Sequence, residues 1–242
     1  MNFPLTLGQY LWAAGLIWTA ATIQGAMGFG LALIAAPLLL MTVPMLVPGP
    51  LICISLVLMS LVCYRDFHSV DRPGLVWGTL GRLPGSLLAG VVMGWLPTKP
   101  LNLLFASLIF FAVILSSRGW RVPMNRWSMV IAGALSGLMG TISSVGGPPV
   151  ALLYQHHTPS TIRGTIAGHF LIGGALSLVV LVVMGRFGMD ELLVSAALFP
   201  SGLLGFFCSG PLITHMQQRH LRVAILWFAG VSSVVAMLRE LW

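Results

Sequence analysis

The chain has 242 residues, of which 57% are hydrophobic and only 7% charged, with a mean hydropathy of +0.97. A soluble domain carries roughly 25% charged residues, so this composition excludes an ordinary soluble fold and points to a polytopic membrane protein. The net charge of +7 comes from 12 Lys and Arg spread singly over short loops, a pattern that reads as topology signals rather than a nucleic-acid patch.

The first apolar run, residues 5–41, is 37 residues long. As one straight helix it would measure about 55 Å at ~1.5 Å per residue, against a bilayer core of about 30 Å. It contains Gln24, Gly25, Gly28 and Gly30, ahead of Pro37. This predicts a broken element, tolerated in lipid only against protein or a wet cavity. A kinked helix with closely packed glycines is the alternative. Met1–Pro4 lacks Lys and Arg, so the stretch does not begin as a signal peptide and the first segment is expected to remain.

Further spans are expected at about 46–64, 74–96 and 101–117, with Arg118, Arg121 and Arg126 in the middle loop. The fifth span, about 127–154, holds a second broken stretch: Gly137, Gly140, Thr141, Ser143, Ser144, Gly146 and Gly147, then Pro148-Pro149. Spans six to eight follow at about 160–184, 192–213 and 221–238. The fold class is therefore an all-α polytopic membrane protein with about eight transmembrane segments. They form two homologous four-segment repeats, each opening with a glycine-broken helix, within one membrane domain: repeat one 1–118, repeat two 119–242. The duplication rests on Gly25-Ala26-Met27-Gly28 matching Gly137-Leu138-Met139-Gly140 at an offset of 112. Pro84–Ala89 also matches Pro200–Gly205, at an offset of 116. The difference implies a few extra residues in the second half. Repeats with discontinuous helices are a transporter pattern.

With single crossings, Arg65, Arg72, Arg118, Arg121, Arg126, Arg186 and Arg239 fall on one side and Lys99, Arg163, Arg219 and Arg222 on the other. That places both termini in the cytoplasm of a cell (inner) membrane protein. If each broken stretch crosses twice, the side of the C-terminus still holds but the two repeats become inverted.

The acids Asp66, Asp71, Asp190, Glu191 and Glu240 lie in loops or at the terminus, leaving no carboxylate for an intramembrane proton relay or metal site. Cys53, Cys63 and Cys208 form no CxxC or Cys/His cluster, and no cofactor or metal is expected. The internal ionisable groups are basic. Arg82 shares a face with Gly78, Gly85 and Ala89 and would cost about 2.5–3.5 kcal/mol facing lipid, so it is expected to point into the bundle, capping freed carbonyls or meeting an anion. Arg163 follows the cap Thr158-Pro159, where a cation opposes the helix dipole; it either snorkels to headgroups or faces an entering anion. His169 is mid-span, on another face. Trp12, Trp18, Trp120, Trp127 and Trp242 fit interface anchors. His156-His157 reads as surface, and His215 brackets the last turn. Free amides at half-helix ends can hold an anion. The candidate substrate-binding set is thus Gln24, Gly25, Gly28, Gly30, Arg82, Thr141, Ser143, Ser144, Gly146, Gly147, Arg163 and His169.

Gly25-x-x-Gly28-x-Gly30…Pro37-Leu38, with its echo Ser136–Gly140…Gly146-Gly147-Pro148-Pro149, resembles the TauE/SafE sulfite-exporter family, the TSUP anion permeases. Arg163-Gly164-Thr165 resembles the arginine of that family's sixth span. Where the family often has Gly-x-Gly-Gly-Gly, this chain has Gly28-Phe29-Gly30-Leu31-Ala32. The resemblance implies a permease for sulfite, an organosulfonate or a related small anion, with the lipid bilayer as its other partner. A non-transporting assembly or sensor subunit is the alternative. A membrane enzyme would have only Ser143, Ser144 and His169 to work with, and no acid to orient the histidine.

Overall fold

The computed structural model describes residues 5–118, 122–210 and 218–241. Trp120, Arg121, His215 and Trp242, and the side chains of Arg118, Arg219 and Arg222, lie outside what is described. The chain forms α1 (Leu7–Met27), α2 (Leu31–Thr42), α3 (Gly49–Arg65), α4 (Arg72–Trp95), α5 (Thr98–Arg118), α6 (Arg126–Ser143), α7 (Gly147–Tyr154), α8 (Pro159–Val183), α9 (Met189–Phe207) and α10 (Gln218–Leu241). No strand occurs among the described residues. This is an all-helical polytopic membrane protein. Four described helices are long and apolar enough to cross a bilayer: Arg72–Trp95, Lys99–Ser117, Pro159–Val183 and Met189–Phe207. Leu31–Thr42, Gly49–Arg65 and Leu226–Arg239 are shorter apolar helices.

Local chemistry sets the ends. Thr6 and Gln9 close a reciprocal capping box on α1, and Asn125 and Ser128 do the same on α6. Asp71 accepts from the Gly74 N–H at the start of α4, and Thr158 caps α8 just before Pro159. Such caps satisfy N–H groups that the helix itself leaves free.

The two broken spans are each a pair of helices, the doubled-back form that the sequence leaves open beside single crossings. Gly28 ends α1 at φ 84° and Gly30 precedes α2 at φ 124°, while Ser144 ends α6 at φ 62°. A left-handed residue turns the chain out of the α-helical path, and Pro148-Pro149 open a new helix where missing N–H groups do no harm. The chain then doubles back. Trp12 Nε1 donates to Thr42 Oγ1 at 3.1 Å, so α2 ends beside the start of α1. Tyr154, closing α7, donates to Asp71 Oδ2 at 2.7 Å and packs with Met129 of α6.

The contacts also regroup the charges. Arg163 bonds Asp66, so it shares an end of the bundle with Arg65 and Arg72. Arg186 donates to the Met93 carbonyl, and Arg239 to that of Met41, so both join Lys99 at the opposite end. The division of Arg163, Arg186 and Arg239 that single crossings imply is therefore reversed, because the chain doubles back at each break.

Packing is reciprocal between the halves. In α4, Gly81 and Gly85 lie on the Val130 and Ala134 carbonyls of α6; in α9, Gly205 lies on the Trp18 carbonyl of α1. Small residues let backbones approach this closely. At the centre α3 packs against α8, and α5 against α10.

Candidate functional site

The first break is bridged by one side chain. Gln24, 2% exposed, accepts the Leu31 N–H on Oε1 at 3.2 Å and so caps α2 from the end of α1. Its Nε2 is buried and has no hydrogen-bond partner among the described residues. Gln24 and Gly30 line a small cavity together with Ser144, Val145, Gly147 and Pro148 of the second break. A second cavity lies against Arg82, Gly140, Gly174, Ile52 and Leu56. Both share Ser55, Ser144 and Phe170 as walls. Each has room for little more than one water-sized sphere.

Arg82 is 1% exposed. Its guanidinium fits because two neighbours lack a Cβ: one on Gly173 would collide with Arg82 Nε and Cδ, and one on Gly140 would crowd Nη2. Nη1 donates to Ser136 Oγ at 3.1 Å, and Cζ sits 5.2 Å from the Phe170 ring centroid, within cation–π range. Nε has no hydrogen-bond partner among the described residues. Among the described residues the ion pairs are Arg65–Asp66 and Arg163–Asp66, so no carboxylate there neutralises Arg82. A buried charge without a counter-charge is costly, and an anion in the adjoining cavity would supply one.

Ser136 is the hub of this region. Its hydroxyl donates to the Gly146 carbonyl at 2.6 Å, spending its single proton. It accepts from Arg82 and lies 3.1 Å from His169 Nε2. With no hydroxyl proton left to give, Ser136 receives the Nε2 proton, which fixes the neutral His169 tautomer. Arg82 and His169 are thus tied to the second break by a residue that sequence reasoning did not single out. The available signal was spacing: Ser136, Gly140 and Ser143 lie four and three residues apart on one helix face. Ser55 was also missed, although it is a polar residue inside an apolar span.

The other expected residues separate. Gly25 packs against Ser209 and Phe206. Gly28 packs on the stem of Arg163. Thr141 hydrogen-bonds Ser177 at 2.8 Å, and Ser143 back-bonds to the Met139 carbonyl at 2.7 Å. Ser144 donates to the Pro48 carbonyl at 3.0 Å. Arg163 holds Asp66 through Nε at 2.9 Å and Nη2 at 3.1 Å, so its charge is matched at the mouth of the bundle and it lines neither cavity.

The chain was compared with known proteins. A family model described as Sulfite exporter TauE/SafE matches residues 11–236. No curated protein and no solved structure matches the chain.

Proposed function

We propose that this chain, which belongs to the sulfite exporter TauE/SafE family, carries a small monoanion of the sulfite or organosulfonate type through the cavities between its two broken helices. The observation that carries this reading is Arg82: a buried guanidinium with an unpartnered Nε, facing a cavity that reaches the second break. Gln24 and Gly30 of the first break, Ser144 and Gly147 of the second, and Phe170 between them complete the path. Arg163 and Asp66 close its mouth. A carrier suits the hydroxyls, because Ser143 and Ser144 donate to main-chain carbonyls and neither meets a base.

Residues 1–118 and 119–242 are read as inverted repeats of five helices each, in place of four. Gly28 and Ser144 end equivalent helices 116 residues apart, Leu31 and Gly147 open the next pair at the same interval, and Pro84 and Pro200 lie inside α4 and α9 at that interval again. The Asp66 end, with Arg65, Arg72, Arg126 and Arg163 and the helix ends that carry Arg118, Arg219 and Arg222, outweighs the end with Lys99, Arg186 and Arg239. It therefore faces the cytoplasm and the termini face away. A potential negative inside then favours anion exit by about 2.3 kcal/mol per charge per 100 mV, so export needs no intramembrane carboxylate.

The test is a flux panel in proteoliposomes with radiolabelled sulfite, sulfonates and carboxylates. The reading expects sulfite or a sulfonate to move faster than in empty vesicles. No flux of any anion above empty vesicles contradicts it.

A further inference from the structure

We infer that Gln24 is a specificity-determining residue, whose amide N–H groups receive a neutral hydrogen-bond acceptor at the far end of a monoanion held at its charged end by Arg82. This rests on the permease reading above.

The orientation of the amide follows from bond accounting. Leu31 N–H points at Oε1, and a flipped amide would set two donors against each other. Nε2 is therefore the end left over, with two protons and no acceptor among the described residues. The side chain is 2% exposed and lines the first cavity. Arg82, 1% exposed, lines the second; its Nε, equally without a hydrogen-bond partner among the described residues, sits against Gly173. The cavities are neighbours through Ser55, Ser144 and Phe170. The two buried donors thus line neighbouring cavities that share three wall residues; each holds about one water in this state, so an anion with a spacer is received when the two open into one.

Its chemistry restricts the occupant. One guanidinium matches one negative charge. Between the donors the walls of the first cavity are largely apolar, with Phe29, Leu33, Met59 and Pro148, which suits a short apolar spacer. Gln24 Nε2 itself offers only N–H groups, so a hydroxyl or carbonyl oxygen is accepted there and an ammonium is not. The inverted architecture does not duplicate this pair: 116 residues on, Gly140 stands for Gln24 and Leu198 for Arg82. The recognition is therefore one-sided, with a charged end and a neutral end.

The experiment compares radiolabelled 2-hydroxyethanesulfonate, ethanesulfonate and 2-aminoethanesulfonate in proteoliposomes of the full chain. The wild type is expected to show a KM for the hydroxyl compound about tenfold below that for ethanesulfonate, the scale of one added hydrogen bond, and to leave the amino compound behind. Gln24→Leu brings the ratio of the two KM values to about one. Gln24→Glu keeps an oxygen to cap Leu31 and removes the donor. It raises the KM of the hydroxyl compound and lets the amino compound through, and it serves if the leucine variant fails to fold. A wild-type ratio near one, or variants that shift all three compounds equally while sulfonates still move, overturns the role of Gln24 and leaves the permease standing. Absence of flux for every anion in the wild type removes both.

Discussion

Arg163 and Asp66, 97 residues apart in sequence, meet in a two-pronged ion pair of 2.9 and 3.1 Å at the mouth of the bundle. Asp66 also takes Arg65 Nε at 3.4 Å, and the stem of Arg163 packs on Gly28. The cluster therefore ties the end of α3, the start of α8 and the first break together. The Arg163 and Asp66 side chains are 18% and 9% exposed, so the pair is partly screened and falls between a surface pair and a buried one. Arg163→Gln and Asp66→Asn should each lower stability by about 1–3 kcal/mol, and the double variant should lose clearly less than their sum. Denaturant unfolding in detergent reads this; strictly additive losses contradict it.

Gly173 has a sharper role than ordinary helix packing. Its missing Cβ leaves the space that Arg82 Nε and Cδ occupy. Gly173→Ala should displace the guanidinium and cut flux by about tenfold or more, the scale of a small misplacement at a binding group. Gly94→Ala is the control, because an added Cβ there would meet only Met184 Sδ at 3.7 Å. Equal flux in the two variants would show that Arg82 is not held by Gly173.

Composition and glycine pattern made the membrane class, the two breaks and the buried Arg82 visible in the sequence. The fold went further at one physical point. Apolar length alone does not distinguish a kink from a reversal; that depends on left-handed backbone at Gly28, Gly30 and Ser144, and a serine there gives no compositional warning. The same serine hid the spacing of the two breaks. Matching Gly25 to Gly137 suggested an offset of 112, whereas Gly28 and Ser144 end their helices 116 residues apart, in step with Pro84 and Pro200. The bonds of Ser136 to Arg82 and of Arg163 to Asp66 were beyond reach because both are tertiary contacts across long sequence separations.

The regrouped charges predict orientation. Reporter fusions at the C-terminus and within 97–100 should behave as extracytoplasmic, and a fusion in the 66–71 loop as cytoplasmic. A cytoplasmic signal at the C-terminus would reverse the proposed sidedness.

His169 spends its Nε2 proton on Ser136, a contact that a glutamine amide can reproduce. Efflux through His169→Gln should therefore persist at a reduced rate and still respond to a potassium–valinomycin clamp, stronger with the inside negative. Uphill accumulation driven by a pH gradient alone, and eliminated by His169→Gln, would instead make this histidine the coupling group.

The central claim is that the Arg82 guanidinium is the charge that holds the anion. Arg82 has no carboxylate partner among the described residues, so Arg82→Leu leaves no opposite charge unpaired and tests function once folding is checked. Radiolabelled sulfite flux is measured in proteoliposomes for the wild type and for Arg82→Leu, with folding checked by monodisperse elution. Wild-type flux above empty vesicles, with the folded leucine variant at the empty-vesicle level, is the expected result; a folded Arg82→Leu protein that transports with wild-type kinetics would contradict the account.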